Sequence, residues 1–135
     1  MAKMGVAELH QRRLSTLSGG QRQKVYIAMA LAQDTPVVIL DEPGTFLDIA
    51  HQLQLMEQAK ALAEAGKTVV LVLHDLSLAL EYADSLAVLS EGNCLFQGSP
   101  EETFRSGCLD QVFGVKVRRF ATAEGWKYHY GIHIL

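Results

Sequence analysis

The sequence predicts an α/β fold in which helices and strands alternate, followed by a small β-rich tail. Two unalternating apolar runs, residues 37–41 and 68–73, have the β-branched composition of strands in a parallel sheet. The segment between them, residues 48–65, carries apolar residues at helical spacing. A helix lying between two parallel strands is the connection that such a sheet requires.

A first helix is predicted over residues 18–33. Ser18 and Gln21 form the S-x-x-Q pattern of a capping box, in which two side chains satisfy backbone amides at the start of a helix. An apolar stripe follows at i, i+4 and i+7, and we expect it to pack inward. The stripe consists of Val25, Met29 and Ala32.

The start of this helix has the features of an anion site. Gly19 and Gly20 carry no Cβ, so a ligand can approach the backbone amides of the first turn closely. The positive end of the helix dipole favours a negatively charged ligand, and phosphate is the natural candidate. An ordinary loop before a capped helix is the alternative, and these residues alone leave it open.

The first apolar run ends abruptly in Asp41-Glu42-Pro43. We expect this run to be a strand buried on both faces, with its carboxylates at the end where α/β proteins place their ligands. Adjacent strand residues point in different directions, so Asp41 can bind a divalent cation while Glu42 faces a water molecule. An acidic turn before Pro43 is the alternative.

The second apolar run ends in His74-Asp75. A histidine at a strand end is most often structural, but its imidazole can also hydrogen-bond a phosphate or a water molecule. The intervening helix over residues 48–65 should end at Gly66, a favourable residue for a left-handed helix end. Its expected core stripe consists of Ile49, Leu53, Met56, Ala59 and Leu62.

The remaining chain alternates short elements. Ser99 and Glu102 form a second capping box, with Pro100 at the first helical position. Alternation of Tyr128, Tyr130, Ile132 and Ile134 with polar residues predicts a half-buried final strand. The other predicted elements are a helix at 76–83, a strand at 85–89, a hairpin return through 91–93 into a strand at 94–97, and a short helix near 109–113.

Three strings together resemble the nucleotide-binding subunit of ABC transporters. Residues 17–23 (LSGGQRQ) are similar to the signature motif, residues 37–43 (VVILDEP) to Walker B, and residues 72–75 (VLHD) to the switch-histidine loop. Residues 44–48 look like the D-loop, although Gly44 stands where threonine is usual. Residues 48–52 (DIAHQ), together with two strings in the tail, resemble the subgroup that energises import of iron-siderophores, haem and vitamin B12.

This resemblance implies ATP and Mg²⁺ as cofactors and two ATP-binding subunits docked head to tail beside membrane permease subunits. It implies that Asp41 acts on Mg²⁺, Glu42 is the general base, and His74 senses the γ-phosphate and positions the attacking water. It also implies that the residues in contact with the nucleotide are Ser18, Gly19, Gly20, Gln21 and Asp48. The resemblance also implies a cytoplasmic location, in which the protein is held at the inner face of the plasma membrane by the permease subunits.

The phosphate-binding loop of that family, G-x-x-x-x-G-K-[ST], does not occur in these residues. Gly66-Lys67-Thr68 comes nearest, but Ala61 stands where the first glycine is needed and a helix precedes the glycine where a strand is needed. The chain therefore resembles the C-terminal half of a P-loop NTPase domain of ABC type, without the Walker A strand and loop. A truncated, mis-started or split gene product is one hypothesis for its origin.

The resemblance implies one partial domain over residues 1–135. Its expected parts are 1–35 as the end of a helical subdomain with the signature, 36–90 as the core from Walker B to the switch histidine, and 91–135 as a hairpin, short helices and a strand. Because cradling amides and the loop lysine position the phosphates, we expect no meaningful ATPase activity from the chain alone. The alternative function is a non-catalytic accessory half-domain that supplies the signature in trans to a complete subunit.

Composition and charge exclude several other classes of function for this chain. The 135 residues carry a net charge of −3 with dispersed basic residues, which gives no electrostatic footprint for nucleic acid. The short acidic chain also lacks the coiled-coil heptads and basic surface of chromosome-maintenance ATPases. No apolar run is long enough to span a bilayer. Cys94 and Cys108 do not have the spacing of metal ligands. We expect both to be reduced thiols that serve as packing or surface residues.

Overall fold

A computed structural model describes residues 5–132 of the chain, which divides into two compact units at Leu73 and His74. Each unit has its own hydrophobic core. The elements of the first unit are the 3₁₀ turns Ala7–Leu9 and Leu14–Thr16, helix α1 (Gly19–Ala32), strand β1 (Val37–Asp41), helix α2 (Ile49–Glu64) and strand β2 (Thr68–Val72).

Helix α1 begins with the predicted capping box. Ser18 Oγ accepts a hydrogen bond from the Gln21 amide at 3.2 Å, and the Ser18 amide donates to Gln21 Oε1 at 3.1 Å. The predicted stripe of Val25, Met29 and Ala32 is wrong, because Met29 is 51% exposed and Ala32 is also exposed. The helix instead turns Ile27, Ala28 and Leu31 inward, and Ile27 and Leu31 pack in the core of the first unit.

Strands β1 and β2 pair in parallel, as predicted, with Ile39 opposite Val70. One side of this two-stranded sheet packs inward through Val38 and Leu40, and Leu40 contacts the core cluster. The expectation that β1 is buried on both faces is wrong for this chain, since Val37 is exposed and Ile39 is 68% exposed. Within the first unit, the core helices pack on the Leu40 side, so the Ile39 side is left open.

Helix α2 confirms the predicted element but only part of its predicted stripe. Met56 and Ala59 are buried, joined by Leu55, which the stripe did not include. Ile49 and Leu53 are exposed instead, so the buried face is rotated toward Leu55. Gly66 has a φ of +91°, and its amide bonds the Ala63 carbonyl at 2.9 Å, so it ends the helix in the predicted way.

Up to residue 132, the second unit consists of three helices and two antiparallel hairpins. Its elements are α3 (Leu76–Tyr82), β3 (Leu86–Ser90), β4 (Asn93–Gly98), α4 (Pro100–Ser106), α5 (Cys108–Phe113), β5 (Val115–Thr122) and β6 (Gly125–Ile132). The capping box at Ser99 is confirmed. Strand β5 was not predicted, because its polar residues at 116, 118 and 119 hide the apolar alternation.

The core of the second unit gathers around Leu80, Leu109 and Tyr128. The predicted alternation of β6 holds for Tyr128 and Tyr130, but Ile132 is 85% exposed, and Ile134 lies outside the described residues. Arg119 stacks between the rings of Phe104 and Trp126, with its guanidinium carbon 4.7 Å and 4.2 Å from their centroids.

A carboxylate also fixes that guanidinium, because Arg119 forms an ion pair with Glu101.

Cys94 is exposed and Cys108 is half-buried, and both are free thiols. In the described part of the chain, no helix combines the length and the apolar character that crossing a membrane requires.

Candidate nucleotide site

The start of α1 presents two unused backbone donors. The capping box occupies the Ser18 hydroxyl and the Gln21 side chain in contacts with each other's amides. The Arg22 amide bonds the Ser18 carbonyl at 2.9 Å. Within residues 5–132, the amides of Gly19 and Gly20 donate to no acceptor. They point along the positive end of the helix dipole, which is the arrangement that suits a phosphate oxygen.

Two exposed carboxylates stand where β1 ends. Asp41 lies opposite Val72 in the sheet register and is exposed. Glu42 follows with a φ of +45°, and its amide donates to the Val72 carbonyl at 3.1 Å. The strand is therefore paired up to its last residue, and the backbone turns sharply at Glu42. The different directions expected for the two side chains stay a prediction.

The donor chemistry of Asp41 fits Mg²⁺, because a carboxylate oxygen is a hard ligand of the kind that this ion prefers. Among residues 5–132, no three His, Cys, Asp or Glu side chains gather as a closed metal cage would need. Mg²⁺ usually keeps several waters and takes only one or two carboxylates beside nucleotide phosphates. One carboxylate at this position is thus compatible with such a site.

Asp48 caps helix α2 and pairs with His51. Its Oδ1 accepts from the His51 amide at 2.9 Å and lies 2.6 Å from His51 Nδ1. The backbone hydrogen bond from His51, followed by the side-chain one, lowers the pKa of Asp48 below its usual value. Asp48 is therefore ionised at neutral pH, and its exposed carboxylate lies at the end of the loop that follows Glu42.

The start of α1 packs directly on that loop. A Cβ built on Gly20 would stand 2.8 Å from the Phe46 carbonyl oxygen, and one built on Gly19 would stand 3.6 Å from Phe46 Cβ. The structure thus brings the Gly19 and Gly20 amides next to the segment between Glu42 and Asp48. His74 belongs to the second unit, where it is exposed and directly precedes Asp75, the cap of α3.

Two residues that hold this loop were not predicted. Gln23 Nε2 donates to the Pro43 carbonyl at 3.1 Å, and Gln52 Nε2 donates to the Gly44 and Leu47 carbonyls at 3.2 Å each. Gln23 lies in the signature-like string, residues 17–23, and Gln52 lies in the string at residues 48–52. The strings can be recognised from the sequence, but the contacts cannot. Each contact joins a helix side chain to a loop carbonyl, and no local pattern indicates such a pair.

Replacing Gly20 and Gly44 by alanine should have opposite effects on stability. Gly20→Ala places its Cβ against the backbone of Phe46, so we expect a loss of about 1–3 kcal/mol although alanine favours a helix. A Cβ on Gly44 meets Gln52 Cγ at an ordinary 3.5 Å, and its φ is not positive. Gly44→Ala should therefore stabilise the chain by about 0.4–1 kcal/mol by restricting the unfolded state.

The measurement is chemical denaturation of the two variants beside the parent chain. Each variant adds one methyl group to a glycine in the same pair of packed segments, so each serves as the other's control. A gain in stability from Gly20→Ala would contradict the close packing of α1 on the Phe46 backbone.

Comparison with known proteins identifies the family of these motifs. The ABC transporter family model matches residues 1–45. The chain is 48% identical to the petrobactin import ATP-binding protein FpuC of Bacillus anthracis, over 84% of this chain and 42% of that protein. It is 44% identical to the ferric enterobactin transport ATP-binding protein FepC of Escherichia coli, over 86% and 43%. It is 39% identical to the hemin import protein HmuV of Photobacterium damsela, over 92% and 49%.

Solved structures agree with these sequence relatives. The chain matches a protein described as a metal-chelate type ABC transporter in an inward-facing conformation, with a TM-score of 0.80 and 26% identity over 96% of this chain and 53% of that one. It matches a dimeric ATP-binding cassette with ADP and Pi, with a TM-score of 0.63 and 34% identity over 73% and 44%. The chain spans about half the length of the curated relatives that it matches. Its motifs, its sequence relatives and its structural neighbours are thus those of ATP-binding subunits of ABC transporters, of which this chain resembles one part.

Proposed function

We propose that this chain supplies the signature and Walker B part of the ATP-hydrolysing subunit of an importer for an iron-siderophore or a related metal chelate. The observation that carries the proposal is the packing of Gly20 on the Phe46 backbone, which brings the start of α1 to the loop after Asp41 and Glu42. Relatives named for petrobactin, ferric enterobactin and hemin import support the class of cargo.

In this function the Gly19 and Gly20 amides, with Ser18 and Gln21, bind the γ-phosphate of an ATP molecule held by a second, head-to-tail subunit. Asp41 is the carboxylate that Mg²⁺ would use, and the bound ion would neutralise phosphate charge. Glu42 accepts a proton from the attacking water. His74 hydrogen-bonds the γ-phosphate and helps to position that water, and Asp48 contributes to the nucleotide contact.

The chain alone should hydrolyse no ATP above background. Phosphoryl transfer depends on amides and cations that hold the phosphates in position, and this sequence has no G-x-x-x-x-G-K-[ST] loop to provide them. We therefore propose that ATPase activity, a location on the cytoplasmic face of the membrane and permease partners belong to an ATP-binding subunit that also contains such a loop.

A chimera tests this function directly. The matching segment of E. coli FepC is replaced by this chain, and the chimera is expressed in a strain that lacks FepC. We expect growth with ferric enterobactin as the iron source and ATPase activity in the purified subunit. An expressed, folded chimera without ATPase activity would overturn the proposal. A chimera that hydrolyses ATP but does not support growth would overturn only the proposed class of imported compound.

A matched pair of variants tests the phosphate contact within the same chimera. Gly19 has room for a side chain, since its built Cβ makes only ordinary contact with Phe46. Gly19→Asp places a negative charge beside the phosphate and should abolish growth, whereas Gly19→Asn has the same shape without the charge and should retain part of it. Equal loss in both variants would argue against an anion at this helix start.

A further inference from the structure

The loop that follows β1 holds two non-glycine residues in the left-handed region of backbone space. Glu42 has a φ of +45° and Phe46 a φ of +69°. A bulky residue such as phenylalanine rarely adopts this conformation, which is unfavourable for L-residues. Such residues persist only where the surrounding structure holds them in place. Some contact must therefore keep this loop in its conformation.

Three backbone hydrogen bonds hold part of the loop. The Glu42 amide is anchored to Val72, the Thr45 amide donates to the Glu42 carbonyl at 3.1 Å, and the Leu47 amide donates to the Gly44 carbonyl at 3.0 Å. Leu47 is buried in the core of the first unit, and Pro43 is fully buried. Among the described residues, the carbonyls of Pro43 and Leu47 accept no bond from a backbone amide, so other donors must satisfy them.

Side-chain amides from two different helices bind those three carbonyls. Gln23 of α1 reaches Pro43, twenty positions away in sequence, and Gln52 of α2 bridges Gly44 and Leu47. All three bonds are partly buried, so water competes poorly for the carbonyl groups. Together the two side-chain amides, one from α1 and one from α2, hold the loop next to Glu42.

We propose that Gln23 and Gln52 are positioning residues for ATP hydrolysis, which hold the backbone at Glu42 so that its carboxylate faces the attacking water. The inference rests on the proposed function. Only a side chain that donates hydrogen bonds can serve here, because all three acceptors are carbonyl oxygens. Glutamate has nearly the shape of glutamine but no donor, so Gln52→Glu removes both bonds with little change in volume.

The test uses the FepC chimera with Gln52→Glu, Gln52→Leu and Gln23→Leu. A small displacement of a catalytic group costs rate without changing substrate affinity, so kcat should fall on the order of tenfold to a hundredfold while KM for ATP stays within about twofold. Gln54→Leu is the matched control, because Gln54 lies on the same helix, is exposed and should leave both constants unchanged.

A second readout uses the chain alone and needs no activity. Amide hydrogen exchange at Thr45 and Leu47 should accelerate at least about tenfold in Gln52→Leu and stay unchanged in Gln54→Leu. Faster exchange with an unchanged kcat would reduce Gln52 to a structural residue and overturn the proposal. Unchanged exchange would overturn it as well. An inactive parent chimera would instead fail the proposed function, while exchange would still decide whether the amides hold the loop.

Discussion

Replacing Glu42 by glutamine in the FepC chimera is expected to reduce the kcat of ATP hydrolysis by about 10²–10⁴-fold, the usual contribution of a positioned general base. Glutamine keeps the size of the side chain but cannot take the proton from the attacking water. The Glu42 amide donates to Val72 and its carbonyl accepts from Thr45, and the substitution keeps these main-chain atoms. ATP binding should therefore survive while hydrolysis is lost.

Phosphate release at saturating ATP measures the effect, and nucleotide retention measures binding. Glu64→Gln is the matched control, because it removes an exposed carboxylate at the end of α2 in the same unit. That control should keep the parent rate. If Glu42→Gln retained more than about a tenth of the parent kcat, Glu42 would not be the general base, and another group would have to accept the proton of the attacking water.

Local signals in this sequence were sufficient to predict most elements. The capping boxes at Ser18 and Ser99 depend on contacts three residues apart, and both occur as the pattern indicates. Gly66 ends α2 through its own backbone conformation. The apolar runs of β1 and β2 pair in parallel because a helix joins them. For the capping boxes and for Gly66, the determining interaction lies within a few residues of the motif.

The buried faces were harder to predict, because packing partners decide them. Spacing alone placed Met29 in the core, whereas Ile27 occupies that position and contacts Leu47 and Leu55. The composition of β1 indicated burial on both sides, yet Ile39 is open to solvent. Composition reports what a strand can bury, whereas the elements packed around it determine what it does bury.

The candidate site divides in the same way. Ser18, Gly19, Asp41 and Glu42 stand in contiguous strings whose chemistry can be recognised from residue types alone. The contacts that join these strings are distant in sequence, such as the approach of Gly20 to the Phe46 carbonyl and the bond from Gln23 to Pro43. These required the fold, and they give the site a conformation that no single motif specifies.

Replacing Ile27 by alanine should destabilise the first unit by about 2–5 kcal/mol. Ile27 is only 2% exposed and packs with Leu47 and Leu55, so the substitution removes buried methyl groups and leaves a cavity between α1, the loop and α2. Leu47 ends the loop that Gln52 holds. We therefore expect hydrogen exchange to accelerate in α1 and in the loop together.

Met29→Ala is the control for this substitution. It truncates a large apolar residue of the same helix at an exposed position, so its effect should stay within about 0.5 kcal/mol. Amide exchange in α1 and urea denaturation of the chain measure both variants. A larger loss from Met29→Ala than from Ile27→Ala would restore the stripe of Val25, Met29 and Ala32 as the buried face. That result would rotate α1 and remove the Gly20 contact with Phe46, on which the candidate site depends.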